Sequence, residues 1–257
     1  MHASLVIPTL NEERSIGHVL DTFRDAVERD ASAAAPADRI EWEILVIDGR
    51  STDRTTAVAE AHGARVVSES RPGYGRAYRT GFAAASGEII ATSDGDATYP
   101  VETIPTLVRR LREEDLDFIT GNRFAYLGPR AMSTEHRIGN RALNLALRLL
   151  YHRYVKRLPG SNLNDSQSGL WVFRRNILDR IRLTQSGMQL SEEIKIEALI
   201  HGLRVTEVPI HYRERWGAPK LSSWRDGLAN ARFLLAKRVR LERELRSEEP
   251  GGASHPA

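Results

Sequence analysis

Five short β-type runs separated by helical stretches fill the first half of the chain, and this alternation restricts the fold more than any other feature. Ser4–Ile7, Glu43–Ile47, Arg65–Ser68, Glu88–Ser93 and Phe118–Thr120 read as strands. Between them lie helical patterns at Glu12–Arg29, from a Ser51-Thr52-Asp53 cap to about His62, at Gly75–Ala85 and at Val101–Glu114. Strands joined through helices must cross over, so the pattern predicts an α/β protein with a mostly parallel sheet flanked by helices. Ligands bind such sheets beyond the carboxyl ends of the strands. Asp48 and Asp94 each stand at such an end, so they are expected to converge although far apart in sequence.

The second half is less regular. Arg137–Tyr154 reads as an amphipathic helix carrying Ile138, Leu145, Leu149 and Leu150. Leu158–Ser168 is polar and turn-rich, Leu170–Phe173 reads as a strand, Ser191–His201 as a helix and Arg204–Ile210 as a strand. A long basic amphipathic helix is predicted over Trp224–Arg246. A Gly-, Pro- and Ser-rich tail over 248–257 is expected to be disordered. The expected organisation is one domain over 1–247, made of a first half at 1–122 and a second at 123–247.

Composition excludes several classes. No cysteine is present, which removes disulfides, thiolate metal sites and cysteine nucleophiles. The start Met1-His2-Ala3-Ser4 enters a strand directly and does not read as a signal peptide. No stretch approaches the roughly 20 apolar residues that span a bilayer. The formal charge is +3, and arginine concentrates after residue 120, where it can meet phosphates or an anionic membrane surface. No aromatic-basic module for nucleic acid is recognisable.

Asp94-Gly95-Asp96 follows the apolar run Glu88–Ser93. Gly95 permits a sharp turn, and two carboxylates at i and i+2 can face one divalent cation. Mg²⁺ or Mn²⁺ suits oxygen ligands of this kind and completes its shell with phosphate and water. An Asp-Gly-Asp standing alone is equally an ordinary acidic turn, and the surrounding motifs are what favour the metal.

Together these motifs resemble family 2 glycosyltransferases of the GT-A fold, and within them the polyprenyl-phosphate (dolichol-phosphate) hexosyl transferases, over about residues 3 to 235. Val6-Ile7-Pro8-Thr9-Leu10-Asn11-Glu12-Glu13 matches the opening strand and turn. The resemblance implies nucleotide contacts from Pro8, Leu10 and Glu12, while Asn11, Glu12 and Glu13 also suit helix capping. Val46-Ile47-Asp48-Gly49-Arg50-Ser51-Thr52-Asp53 matches the second motif, with Gly49 where a second Asp is common. Asp48 is expected to accept from the base, and Ser51 and Asp53 serve as caps or ligands. Arg71-Pro72-Gly73-Tyr74-Gly75-Arg76 is expected to close over the nucleotide, with backbone N–H groups near Gly75 facing an anion. Asp94 and Asp96 are implied to bind Mg²⁺ or Mn²⁺, bridging the donor diphosphate. Thr98 stands where mannosyl relatives usually carry a metal-ligating Gln.

On the acceptor side, the resemblance implies phosphate contacts from Arg123 and Arg137. Arg141 and Arg148 read as a solvated helix face. In Asn164-Asp165-Ser166-Gln167-Ser168-Gly169, the residues Gln167 and Ser168 are expected to meet sugar or phosphate, and Trp171 reads as core. By its offset from Val208-Pro209-Ile210, Glu193 rather than Glu192 matches the family's acidic helix. Arg213, Arg215 and Lys220 are expected to clamp the diphosphate.

The implied reaction is an inverting, metal-dependent transfer of hexose from UDP-glucose or GDP-mannose to a polyprenyl phosphate. A phosphate needs no general base, whereas a soluble alcohol acceptor does, and Asp165 and Glu193 are the candidates. A non-catalytic nucleotide-sugar binder is the further alternative. The basic 224–246 helix suits peripheral contact with the cytoplasmic face of a membrane, or packing on its own domain with a solvated basic face.

Overall fold

The computed structural model describes residues 1–155, 163–217 and 223–248, with 223–225 and 246–248 as backbone. Its centre is a seven-stranded sheet: β1 (His2–Thr9), β2 (Glu41–Asp48), β3 (Arg65–Ser68), β4 (Ile89–Thr92), β5 (Phe118–Leu127), β6 (Trp171–Arg174) and β7 (Val205–Tyr212). The spatial order is 3-2-1-4-6-5-7. β6 pairs antiparallel with both β4 and β5, whereas the β1–β2, β1–β4, β2–β3 and β5–β7 pairs are parallel. The one reversed strand thus joins the two halves of the chain into one sheet.

The helices are α1 (Ile16–Ala33), α2 (Thr55–Ala61), α3 (Tyr74–Ala84), α4 (Ile104–Glu113), α5 (Thr134–Leu150), α6 (His152–Val155), α7 (Leu190–Ile200) and α8 (Ser223–Glu248). One core, with Leu5, Ile7, Leu20, Phe23, Val108 and Leu111, lies on one side of the sheet. A second, with Val6, Leu45, Tyr78, Trp171 and Phe173, lies on the other. The alternation of Leu5, Val6 and Ile7 between the two follows from the period-2 side-chain geometry of a strand. Trp171 is fully buried, as expected of a core residue.

A third cluster unites α5 and α6 with α7 and α8 through Leu143, Leu147, Tyr151, Ile196, Leu234 and Leu241. The buried face of α8 is set by Asn230, Leu234 and Leu241, and Arg232, Arg240 and Arg243 stay in solvent. Helix packing and a solvated basic face therefore coexist on this element.

Several boundaries differ from the sequence reading. α1 begins at Ile16 rather than Glu12, because Asn11 takes a left-handed conformation (φ 53°) and residues 11–13 are tied to the next loop. β5 continues to Leu127, well past Thr120, because tertiary pairing with β7 carries it on. The 248–257 tail and Lys220 lie outside the described residues, apart from Glu248.

Candidate active site

The carboxyl ends of β1, β2 and β4 form one edge, and the nucleotide motifs meet there. The turn after β1 is stitched to the turn after β2. Asn11 N–H donates to Ser51 Oγ (2.8 Å), Thr52 N–H to Asn11 Oδ1 (2.7 Å), Glu12 N–H to Thr55 Oγ1 (2.7 Å) and Glu13 N–H to Asp53 Oδ2 (3.2 Å). Asp53 also accepts from the N–H of Thr55, the first residue of α2, at 3.0 Å. Asp48 is buried and accepts from the N–H groups of Arg50 and Ser51 (3.1 and 3.2 Å). These bonds fix where Pro8, Leu10, Glu12 and Asp48 stand. Leu10 is 42% exposed on the rim, and Glu12 is buried beneath it.

The Asp94–Thr98 loop packs directly on this turn. A Cβ at Gly95 would lie 2.8 Å from Thr9 Cγ2 and 3.6 Å from Glu12 Cγ, so only glycine allows the approach. Asp94 is half-buried and accepts from the hydroxyls of Tyr78 (3.2 Å) and Tyr74 (3.4 Å). Burial, together with the neighbouring Asp96 charge, pushes its carboxyl up to about 7, and Arg215 opposes the shift. Asp96 is almost fully buried. Its Oδ1 accepts from Thr98 N–H (3.1 Å) and Thr98 Oγ1 (2.6 Å), and its Oδ2 pairs with Arg215 Nη2 at 2.5 Å. Thr98, where a metal-ligating Gln was weighed, is thus a support for Asp96.

Arg215 belongs to a strap leaving β7. Arg213 N–H donates to Thr98 O (2.9 Å) and Trp216 N–H to Asp96 O (3.2 Å). The Trp216 ring stacks on His18 of α1 at 4.5 Å with planes 10° apart. The strap therefore runs from the acidic loop across to α1, with a guanidinium against Asp96. Arg213 itself pairs with Glu102.

Two adjacent carboxylates with one guanidinium for counter-charge fit a hard divalent cation, since Mg²⁺ and Mn²⁺ take oxygen ligands. No group of three or more His, Cys, Asp or Glu side chains gathers to hold a metal among the described residues. The two aspartates thus suit an ion whose remaining ligands come from phosphate and water. Asp94 and Asp96 would hold it.

The acceptor-side motif is held by buried ion pairs and hydrogen bonds. Asp165 is fully buried and bidentate to Arg123, with Oδ2–Nε at 2.7 Å and Oδ1–Nη2 at 2.8 Å. It also accepts from the N–H groups of Arg123 (2.9 Å) and Gln167 (3.2 Å). Burial alone would raise its pKa, but the Arg123 charge, the hydrogen bonds from Arg123 and the Lys195 charge together outweigh burial and hold it below the usual range. Asp165 and Arg123 thus form a buried, bidentate ion pair. Glu193 is also buried. Its carboxylate accepts from Thr184 N–H (2.8 Å), Thr184 Oγ1 (2.7 Å) and Gln185 N–H (2.8 Å), so it ties down that loop.

The same loop covers the start of α3. Arg76 N–H donates to Ser186 O (3.1 Å), and a Cβ at Gly75 would meet Gln185 O and Gly187 O, both at 2.7 Å. Gly75 serves close packing here and does not present an open anion cradle. Gln167 and Ser168 likewise face inward. Gln167 Nε2 donates to Glu192 Oε1 (2.5 Å) and its Oε1 accepts from Asn230 Nδ2 (3.0 Å). Ser168 O accepts from Lys195 Nζ (3.0 Å) and Trp171 Nε1 (2.7 Å). Arg137 is exposed on α5.

Sequence reasoning missed the tyrosines and the buried ions. Tyr74 and Tyr78 stand at i and i+4 on α3, a spacing that puts both on one face, and this was the available signal. Glu192 is fully buried, and burial raises its pKa well above the usual carboxylate range despite Lys195 nearby. Burial draws the Lys195 ammonium down to about 8, opposed by Asp165. Nothing in the local pattern marks either residue as interior.

Gly169 closes the pocket wall. A Cβ there would lie 2.3 Å from Tyr74 Oη and 3.6 Å from Asp94 Oδ1. Gly169→Ala is expected to displace the Tyr74 hydroxyl from Asp94 and to cost about 1–3 kcal/mol of stability, measured by urea unfolding.

Comparison with known proteins follows this geometry. The family model "Glycosyl transferase family 2" matches residues 4–182. The dolichyl-phosphate hexose transferase of Haloferax volcanii is 33% identical over 95% of this chain and 96% of its own length. The low-salt glycan biosynthesis hexosyltransferase Agl6 of the same organism is 34% identical over 90% of this chain but only 52% of its own length, so the chain spans about half of that relative. Among solved structures, glucosyl-3-phosphoglycerate synthase from Mycobacterium tuberculosis, in complex with Mn²⁺, UDP and glucosyl-3-phosphoglycerate, superposes with a TM-score of 0.67. It is 26% identical, covering 93% of this chain and 79% of that one. With its acidic loop at the carboxyl edge of a mostly parallel sheet, the chain belongs to glycosyl transferase family 2 and is a glycosyltransferase of the GT-A fold.

Proposed function

We propose that this glycosyltransferase moves a hexose from a nucleoside diphosphate sugar, UDP-glucose or GDP-mannose, to a polyprenyl phosphate with inversion. The observation that carries the choice of acceptor is the state of the acidic residues. Asp165 is saturated by Arg123, and Glu193 holds Thr184 and Gln185. Glu192 is fully buried against Gln167, whose Nε2 donates to its Oε1. An alcohol acceptor would have to give its proton to a base, and none of these three carboxylates is suited to take it. A phosphate monoester is already largely ionised at neutral pH and needs none. The dolichyl-phosphate hexose transferase, similar over nearly its whole length, supports the same acceptor class.

In this reading the β1 and β2 turns hold the nucleoside, with Asp48 as acceptor for a base N–H. Asp94 and Asp96 hold a divalent ion, which when bound neutralises charge on the leaving diphosphate. Arg215, whose guanidinium lies against Asp96, would add counter-charge as the anomeric bond breaks. The acceptor phosphate oxygen attacks the anomeric carbon from the opposite face, and the nucleoside diphosphate departs.

Peripheral contact with a bilayer accompanies this acceptor. Among the described residues no helix is long and apolar enough to cross a membrane. α5, however, is apolar on two faces. Leu143 and Leu147 are buried, while Ile138 (64% exposed), Leu145 (52%) and Leu149 (65%) form an outward stripe beside arginines. That combination suits an anionic lipid surface.

The test is transfer of labelled hexose from each donor with Mn²⁺ and a polyprenyl phosphate, followed by phase separation. Label entering the organic phase supports the reading, and label confined to a water-soluble product defeats the lipid acceptor. A second expectation concerns Arg215. Because its guanidinium occupies Asp96 in the structure, Arg215→Gln is expected to tighten Mn²⁺ binding severalfold without nucleotide, while weakening binding of the nucleoside diphosphate. Mn²⁺ titration followed by electron paramagnetic resonance measures the first change, and calorimetry the second.

A further inference from the structure

A cavity of about 850 Å³ lies beyond the acidic loop, walled by residues 126–130 and 211–214. Its volume is within the roughly 300–1,000 Å³ of small-molecule sites. The sequence gives no sign of it, because it arises from an irregularity in strand pairing. β5 and β7 run in register from Phe118 to Asn122. The register then slips, and pairing resumes as Tyr126 with His211 and Leu127 with Tyr212. Such a slip bends the strand ends and re-aims their side chains. Gly128 fixes the floor: its N–H donates to Tyr212 O at 2.9 Å, and a Cβ there would sit 2.9 Å from the same oxygen.

The lining is mostly apolar, with cations at its lips. Tyr126 stacks on His211 with centroids 4.6 Å apart and planes at 14°, yet 53% of it remains exposed. Leu127, Pro129 and Tyr212 continue the apolar surface, and Arg130 and Arg213 stand at the edges with Glu214. Arg213 is paired with Glu102, so Arg130 supplies the less compensated charge.

The inner wall is shared with the active site. Tyr212 packs edge-on against Tyr99 at 5.2 Å, and the Tyr99 hydroxyl accepts from Gly169 N–H at 2.7 Å. Arg213 N–H is bonded to Thr98 O, two residues from Asp96. A groove whose wall is tied to the acidic loop through Arg213 and Tyr212, and which carries an exposed aromatic surface, is poorly matched to a wholly polar substrate. It fits an amphiphile whose anionic head meets Arg130 and Arg213 at the edges and whose hydrocarbon lies on the apolar lining.

We propose that this groove holds the first isoprene units of the acceptor, over Tyr126, Leu127, Pro129 and Tyr212, and so directs its phosphate toward the donor. The assignment rests on the polyprenyl-phosphate reading above.

The experiment uses the whole chain with Mn²⁺, donor and an isoprenyl phosphate carrying a diazirine near its phosphate end. Photolysis followed by peptide mapping is expected to place the label in segments 126–130 or 211–214. Tyr126→Ala removes an exposed ring and is expected to raise the KM for the isoprenyl phosphate about tenfold, with the KM for the donor unchanged. Transfer to polyprenyl phosphate with the label confined to other segments, such as α5 or α8, and no change in Tyr126→Ala would overturn the groove and leave the acceptor class standing. No transfer to any polyprenyl phosphate and no specific label would remove both.

Discussion

Replacing Asp96 with Asn is expected to lower sugar transfer by about 100-fold or more while leaving the fold intact. The substitution keeps the shape of the side chain. Its amide oxygen can still accept from Thr98 N–H and Thr98 Oγ1, which hold Oδ1 at 3.1 and 2.6 Å. What disappears is the negative charge that faces Arg215 at 2.5 Å and that, in the proposed mechanism, would hold a divalent cation. The same variant should therefore lose Mn²⁺ binding in a nucleotide-free titration. It should also show a melting temperature close to that of the wild type. Steady-state transfer and melting measured together separate the two effects. Full turnover in Asp96→Asn would defeat the metal assignment, and joint loss of activity and folding would make Asp96 a structural residue.

Asp165→Ala is expected to be the most damaging single change to stability, at about 3–5 kcal/mol. The reason is the partner it abandons. Arg123 is 8% exposed, makes two side-chain bonds to Asp165 and lies over the Tyr212 ring at 5.4 Å. Without Asp165 a guanidinium stays buried with no counter-ion. The loop would also lose the bond from Gln167 N–H. The pH dependence follows from the lowered pKa of Asp165. A carboxylate whose folded pKa is depressed contributes its stability fully above the unfolded value of about 3.9 and loses it as pH falls through the folded value. The cost of Asp165→Ala should therefore be constant near neutrality and shrink only in acid. Urea unfolding at neutral pH and below the ordinary Asp range measures this. A double variant replacing Arg123 and Asp165 by apolar residues should recover part of the loss, because it removes the orphaned charge.

How far such residues can be recognised beforehand depends on the range of the forces that place them. Glu193 and Glu192 are adjacent on one helix turn, and the sequence favoured Glu193. Both are buried, but Glu193 faces the Thr184–Gln185 loop and Glu192 faces Gln167, and only the packing of α7 distinguishes them. Arg123 followed the resemblance to phosphate-binding arginines, yet a carboxylate 42 residues away captured it. Gly75 lay in a segment suited to an anion, and the covering loop 185–187 came from more than a hundred residues downstream.

The amino-acid order by itself determined the alternation of strands and helices, the glycine inside Asp94-Gly95-Asp96 and the turn residues after β1 and β2. These features depend on side-chain periodicity and local backbone conformation, which act over a few residues. Tertiary structure alone decided the reversal of β6, the extension of β5 along β7, the pairing of Arg123 with Asp165 and of Arg215 with Asp96, and the groove beside Tyr126. Each of these depends on which distant groups share a low-dielectric interior or a strand edge. Burial and charge pairing there outweigh any local preference, so the role of an ionisable side chain is set by the partner the fold brings to it.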